Sequence, residues 1–186
     1  MKLVTVQHKK VLETLLNNNI YRNDFKYIIK SPFDNLDVKE ELKEKAKVEA
    51  YQILMRHYCF SSPPIFCCVV DRLADFTHTN ISKNSVLLEL DVPDDLIKLH
   101  LLSTWDSILY NIYNKSWTDI LYNNVFRKAL DGEKTEREEL NIQAVISYIH
   151  PDWLTGYYNV PEDFDDIYFS RKILKEFDYK RVIDEI

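Results

Sequence analysis

The chain predicts an α+β fold: a single compact domain over residues 1–186, built on a small mixed sheet with about five to six helices. Three observations lead there. Segments alternating every two residues are mixed with segments whose apolar residues recur every three or four, without a regular strand–helix–strand alternation. Hydrophobic residues make up 46% of 186 and charged residues 29%, ample for a core. No linker, repeat or low-complexity tract divides the chain.

In order, Leu3 to Gln7 reads as a strand with Leu3 and Thr5 on one side and Val4 and Val6 on the other. A helix from His8 to Asn18 follows, apolar through Val11, Leu12, Leu15 and Leu16. Asn17, Asn18 and Asn19 tolerate left-handed conformations and end it where a glycine would usually stand. Asp24 to Lys30 is read as a second strand and Ser31 to Asp34 as a turn. From Asp37 to about Tyr58 the residues Val38, Leu42, Ala46, Ala50, Ile53, Leu54 and His57 fall on one face, the strongest helical pattern in the chain. Ser61 to Pro64 breaks it, and Ile65 to Val70 has the composition of a buried strand. Val86 to Val92 is another strand, and Leu96 to Leu102 continues the sheet.

Ser103 with Asp106, Ser116 with Asp119, and Thr135 with Glu138 stand at capping-box spacing, so three helices should start there. Asp131 to Lys134 is a turn. In Asn141 to Ile149, the apolar residues Ile142, Val145, Ile146 and Ile149 fit a helix while their β-branching fits a strand; helix is the reading adopted. Trp153 to Val160 is a late strand and Asp163 to Phe177 a closing helix.

Composition narrows the functional classes. Two glycines in the chain exclude the glycine-rich phosphate loops of Walker and dinucleotide type. The nucleophile elbow and the HExxH zinc helix are absent as well. A net charge of −6 with interleaved signs argues against general nucleic-acid binding. No apolar run approaches the roughly 20 residues of a membrane span, and no secretion signal opens the sequence. Three cysteines without a framework fit a reduced, cytoplasmic setting.

His57, Cys59, Cys67, Cys68 and His78 invite a zinc reading, but adjacent Cys67 and Cys68 point to opposite faces of a strand, so no metal is expected. Glu89 and Asp91 share a strand side, as acid–base carboxylates can, although an exposed strand face explains them better. The acidic group Glu162, Asp163, Asp165 and Asp166 suits a helix N-terminus. Gln7 and Gln143 flank apolar core segments, where a buried amide must find a partner or face a cavity; one shared cleft with Tyr51 or Trp117 beside them is the functional expectation, set against the simpler one that each amide caps or bridges local backbone.

The order Val4-Thr5-Val6-Gln7, Tyr51 in a long helix, Pro64-Ile65-Phe66-Cys67, Val86 to Pro93, Ser116-Trp117 and Ile142-Gln143-Ala144-Val145 before Trp153 resembles an uncharacterised bacterial family, domain of unknown function 3841. The chain is also distantly similar to ADP-ribosyltransferase-type folds, which hold NAD compactly without a glycine-rich loop. That resemblance implies Gln143 on the ribose as the catalytic-site residue, Thr5 and Gln7 on the nucleotide, and Tyr51 or Trp117 as the aromatic wall. NAD is then the cofactor, and a small-molecule nucleotide the partner. The competing expectation is a non-catalytic regulatory module that binds a protein target through an aromatic-rich surface.

Overall fold

A computed structural model describes residues 1–28, 40–69, 84–131 and 142–159. Strand β1 (Lys2–His8) runs into helix α1 (Lys9–Leu16), followed by the short α2 (Phe25–Ile28) and the long α3 (Glu40–Tyr58). Strands β2 (Ile65–Val69), β3 (Ser85–Asp91) and β4 (Lys98–Leu101) precede helix α4 (Leu102–Tyr113). A nearly continuous helical stretch then comprises α5 (Asp119–Leu121), a π-wound turn (Tyr122–Phe126) and α6 (Arg127–Leu130). Strands β5 (Ile142–Ile146) and β6 (Leu154–Asn159) complete the sheet.

The α+β class holds. Among the described residues the sheet, expected to be small and mixed, has six strands in the order β4-β5-β2-β1-β3-β6, and every pairing is antiparallel. Its two faces are buried separately. On one, Leu3, Ile65, Cys67, Val86, Leu88, Leu90, Ala144 and Ile146 pack with Val11 and Leu15 of α1. On the other, Phe66 packs against a helical layer in which Ala46, Ala50, Ile53 and Leu54 of α3 meet Trp105, Ile108, Leu109 and Ile112 of α4, with Phe126 and Leu130. A strand buried on both sides must be apolar throughout, which accounts for the unbroken run Ile65-Phe66-Cys67-Cys68-Val69.

Residues 142–146 form a strand where a helix was expected. Periodicity could not decide, and pairing did: Phe66 lies opposite Val145 and Cys67 opposite Ala144, while Leu99 pairs with Ala144 from the other side. Asp24 to Lys30 is likewise corrected, because Phe25–Ile28 is one helical turn, with Asp24 Oδ1 accepting from the Lys26 amide at 3.0 Å. Helix α4 begins at Leu102 without a side-chain cap, so Ser103 caps nothing. The second proposed cap moves from Ser116 to Thr118, whose Oγ1 accepts from the Leu121 amide at 3.1 Å. Val38, the 31–34 turn, Gly132 to Lys134, the third capping box and the helix expected over 163–177 lie outside the described residues, as does the side chain of Leu42.

Glycine scarcity shows at the helix ends. Asn18, Cys59 and Lys115 carry φ of 56°, 57° and 54° just after α1, α3 and α4. At each, the next amide reaches back to close the helix: Asn19 N to Thr14 O at 3.1 Å, Phe60 N to Met55 O at 2.9 Å, and Ser116 N to Asn111 O at 2.9 Å. The asparagine run thus ends α1 as its sequence implied. Cys59 and Lys115 hold the same left-handed geometry with β-carbons that disfavour it.

Two outcomes follow. Leu54→Ala, at a fully buried position of α3, lowers unfolding free energy by about 2–5 kcal/mol in urea titration; a loss below about 0.5 kcal/mol, the scale of a surface change, would show the helix to be packed otherwise. Lys115→Gly relieves a left-handed residue and raises stability by about 0.5–1 kcal/mol. A decrease would refute that helix ending.

Candidate functional site

Sheet register decides which polar residues can meet. Thr5 and Gln7 lie on the same side of β1 as Leu3, the face covered by α1. There Thr5 Oγ1 donates to the Phe66 carbonyl at 2.8 Å, and Gln7 Nε2 donates to Thr5 Oγ1 at 2.9 Å. Gln143 lies opposite Cys68 and His100, with His100 closed against the helical layer. Gln7 and Gln143 therefore occupy opposite faces of the sheet, and the single cleft expected of them does not form. Each amide finds a local partner instead.

Tyr51 and Trp117 both belong to the helical layer, with Gln143 at its sheet side. The Tyr51 ring packs edge-on against Phe66 at 5.6 Å and Trp105 at 4.9 Å, and burial pushes its hydroxyl pKa up. Trp117 packs instead on Phe126 at 5.0 Å and Tyr122 at 6.3 Å. These rings fill space against one another. A depression of about 540 Å³ lies elsewhere, along α3, lined by Glu44, Lys45, Val48, Glu49, Gln52 and Arg56.

The polar chemistry of the helical layer gathers at the C-terminal end of α3, where consecutive residues His57 and Tyr58 enter two hydrogen-bond chains. The Tyr58 hydroxyl lies 2.9 Å from the Leu130 carbonyl and 3.0 Å from His100 Nδ1, and His100 Nε2 lies 3.1 Å from Gln143 Oε1. One side chain thereby ties α3 to α6, β4 and β5. Gln143 holds His100 in either ring tautomer. A protonated Nε2 donates to Oε1, and a bare Nε2 accepts from the carboxamide NH2 after a half-turn. His100 is 1% exposed, and burial above all pushes its pKa down to about 4, with the Gln143 hydrogen bond opposing and His57 adding to the shift.

The second chain is shorter and opens to solvent. His57 Nδ1 lies 2.8 Å from the Tyr122 hydroxyl, and His57 Nε2 lies 3.1 Å from Asp131 Oδ1. A carboxylate only accepts, so Nε2 carries the ring proton; neutral His57 then presents a bare Nδ1 that accepts from Tyr122. Burial holds the His57 pKa below its ordinary value, the Asp131 carboxylate opposing and Arg127 reinforcing the shift. The His57 side chain is 7% exposed and that of Asp131 is 54% exposed. Tyr122 stands where the backbone widens into the π-wound turn, a feature frequent at functional sites. Nothing in the sequence marked this trio, because 65 residues separate His57 from Tyr122 and no motif spans them.

Among the described residues, no group of His, Cys, Asp and Glu is arranged to hold a metal ion. Cys67 is in the α1-side core and Cys68 on the opposite side, as alternation requires, and burial pushes both thiols up, Cys68 to about 12. Glu89 and Asp91 share a side of β3, but a register shift follows Glu89, and Asp91 is exposed. His78 and the acidic group at 162–166 lie outside the described residues. No described helix is long and apolar enough to cross a membrane. Compared with protein-family models, with curated proteins and with solved structures, the chain matches none.

His100 sets a pH dependence. Its folded pKa of about 4 lies below the ordinary imidazole value of 6.5, so between those values the unfolded chain binds a proton that the folded chain refuses. Stability is full above pH about 6.5 and falls as pH drops toward about 4, by a total on the order of 3 kcal/mol. Urea titrations at stepped pH measure it. In His100→Gln that portion of the acid dependence should vanish; an unchanged slope would locate the effect elsewhere.

Proposed function

We propose that the chain is a regulatory module that meets a partner protein through the outer side of the α4–α6 layer. The observation that carries this reading is the exposure of aliphatic side chains on that layer. Ile120 is 73% and Val125 52% exposed, while Trp117, Leu121, Tyr122, Phe126 and Leu130 of the same stretch pack inward. Ile120 and Val125 are five residues apart across the π-wound turn, about one turn of such a helix. Tyr110 of α4 is a further exposed aromatic residue, at 61%. Apolar groups left in water on a short irregular helix gain free energy when a partner covers them.

The alternative, an ADP-ribosyltransferase-like NAD site, needs Thr5, Gln7, Tyr51, Trp117 and Gln143 around one cavity. The division of Thr5 and Gln7 from the other three by the sheet weighs against it, and so does the use of the Gln143 amide in holding His100.

Calorimetry and crosslinking separate the two. A photoreactive amino acid placed at position 120 in cells should trap one protein species, and that protein, once purified, should bind the chain and lose binding with Ile120→Asp. Because Ile120 is exposed, that change should alter stability by no more than about 0.5 kcal/mol. Titration of the chain with NAD at millimolar concentration should give no binding heat. Heat with NAD that disappears in Gln143→Ala and Tyr51→Ala, with no crosslinked species, would reverse the assignment.

A further inference from the structure

We propose that Tyr122 accepts a phosphoryl group from an activated phosphodonor, an acyl phosphate or a phosphoramidate, with His57 as general base and Asp131 as positioning residue. The geometry is that of an activated nucleophile: hydroxyl to base at 2.8 Å, base to carboxylate at 3.1 Å. The order of protons is settled by the carboxylate, which accepts from Nε2 and leaves Nδ1 as the basic atom facing the phenol. His57 is neutral at pH 7 because its burial outweighs the pull of Asp131, so the base is available without prior deprotonation. The Tyr58–His100–Gln143 chain also pairs a tyrosine with a histidine but lacks this capacity. There the Tyr58 hydroxyl also meets the Leu130 carbonyl, and His100 is closed between Tyr58 and Gln143 with no carboxylate behind it.

Tyr122 Oη attacks phosphorus, and the new O–P bond forms as the bond from phosphorus to the donor's leaving oxygen or nitrogen breaks. The phenol proton passes to His57 Nδ1, giving an imidazolium whose charge Asp131 stabilises, and later to solvent. From an acyl phosphate the leaving group is a carboxylate, which needs no proton; from a phosphoramidate the leaving nitrogen takes a proton from solvent and departs as the neutral amine or imidazole. The positive charge of Arg127 is felt at His57, where it opposes the Asp131 carboxylate, and a cation in that neighbourhood suits an anionic donor.

The site deepens the interaction reading and rests on it for its consequence alone. Tyr122 lies between Ile120 and Val125 in sequence but packs inward, so about two negative charges would be placed beneath the helix that exposes those two residues, on its α3 side. The phosphoryl group also removes the hydroxyl proton that binds Tyr122 to His57, which loosens the π-wound turn from α3.

Acetyl phosphate is the probe. Incubation of the isolated chain, followed by intact mass and peptide sequencing, should show one added phosphoryl group on Tyr122, absent in Tyr122→Phe. His57→Gln should slow the modification by about a hundredfold. Asp131→Asn, at an exposed position that spares the fold, should slow it by about tenfold and change its pH profile. The wild-type rate rises with pH as His57 loses its proton, at a pH below the ordinary imidazole value. Removing the carboxylate that favours the imidazolium moves that rise to lower pH. No phosphotyrosine in the wild type, a label that persists in Tyr122→Phe, or equal rates in wild type and His57→Gln would each overturn the proposal. None of these results bears on the position-120 crosslink, so the failure of one reading is distinguishable from failure of the other.

Discussion

Burial of both faces of one antiparallel sheet is the constraint on which the remaining structure depends. β2 has Ile65, Cys67 and Val69 toward α1, and Phe66 and Cys68 toward the helical layer. Neither face is open to water at the centre, so polar residues on the inner strands must be satisfied where they stand. Thr5 and Gln7 satisfy each other and the Phe66 carbonyl on one side, and His100 and Gln143 do so on the other. Any site drawing on both sets would have to pass through the sheet.

The helical face bears the titratable chemistry because α3 ends there. Its last turn delivers His57 toward the π-wound turn and Tyr58 toward the sheet, and Cys59 then leaves in a left-handed conformation. The termination is more than a boundary. It lets the chain turn away within two residues, through Phe60, toward β2, so that both side chains remain beside the elements they join. The two histidines also differ in environment. His100 is sealed and, among the described residues, touches no charged partner, whereas His57 touches an exposed carboxylate, and that difference separates a structural connector from a reactive base.

The legible part of the fold was the part written in local periodicity. The alternation of Leu3 to Gln7, the unbroken apolar run from Ile65 and the stripe Ala46, Ala50, Ile53 and Leu54 each encode burial directly, and each matches an element. Residues 142–146 were not legible, since Ile142, Val145 and Ile146 satisfy either period; their state was decided by edges supplied from β2 and β4, far away in sequence. The first proposed cap failed for a related reason. Ser103 has the spacing of a cap, yet β4 passes directly into α4 and places the N-cap two residues earlier, at Leu101.

Candidate-site residues were less legible than the fold because chemistry depends on side, and side depends on parity along a strand. Gln7 and Gln143 both flank apolar segments, but β1 and β2 are antiparallel neighbours in which Val4 faces Cys68, and Cys68 faces Gln143. Side chains opposite one another in register share a face, so Gln143 stands with Val4, and Gln7, an odd number of residues from Val4, stands on the reverse. That inference needs only two register pairs, neither of which sequence supplies. The Asp131–His57–Tyr122 chain was hidden more deeply, since no strand parity governs it: it exists because a π-wound turn rotates Tyr122 toward the end of α3 while Phe126 still reaches the core. A regular α-helix over the same residues would advance a different side chain at each position, so the extra residue in that turn is what makes one hydroxyl, one imidazole and one carboxylate meet.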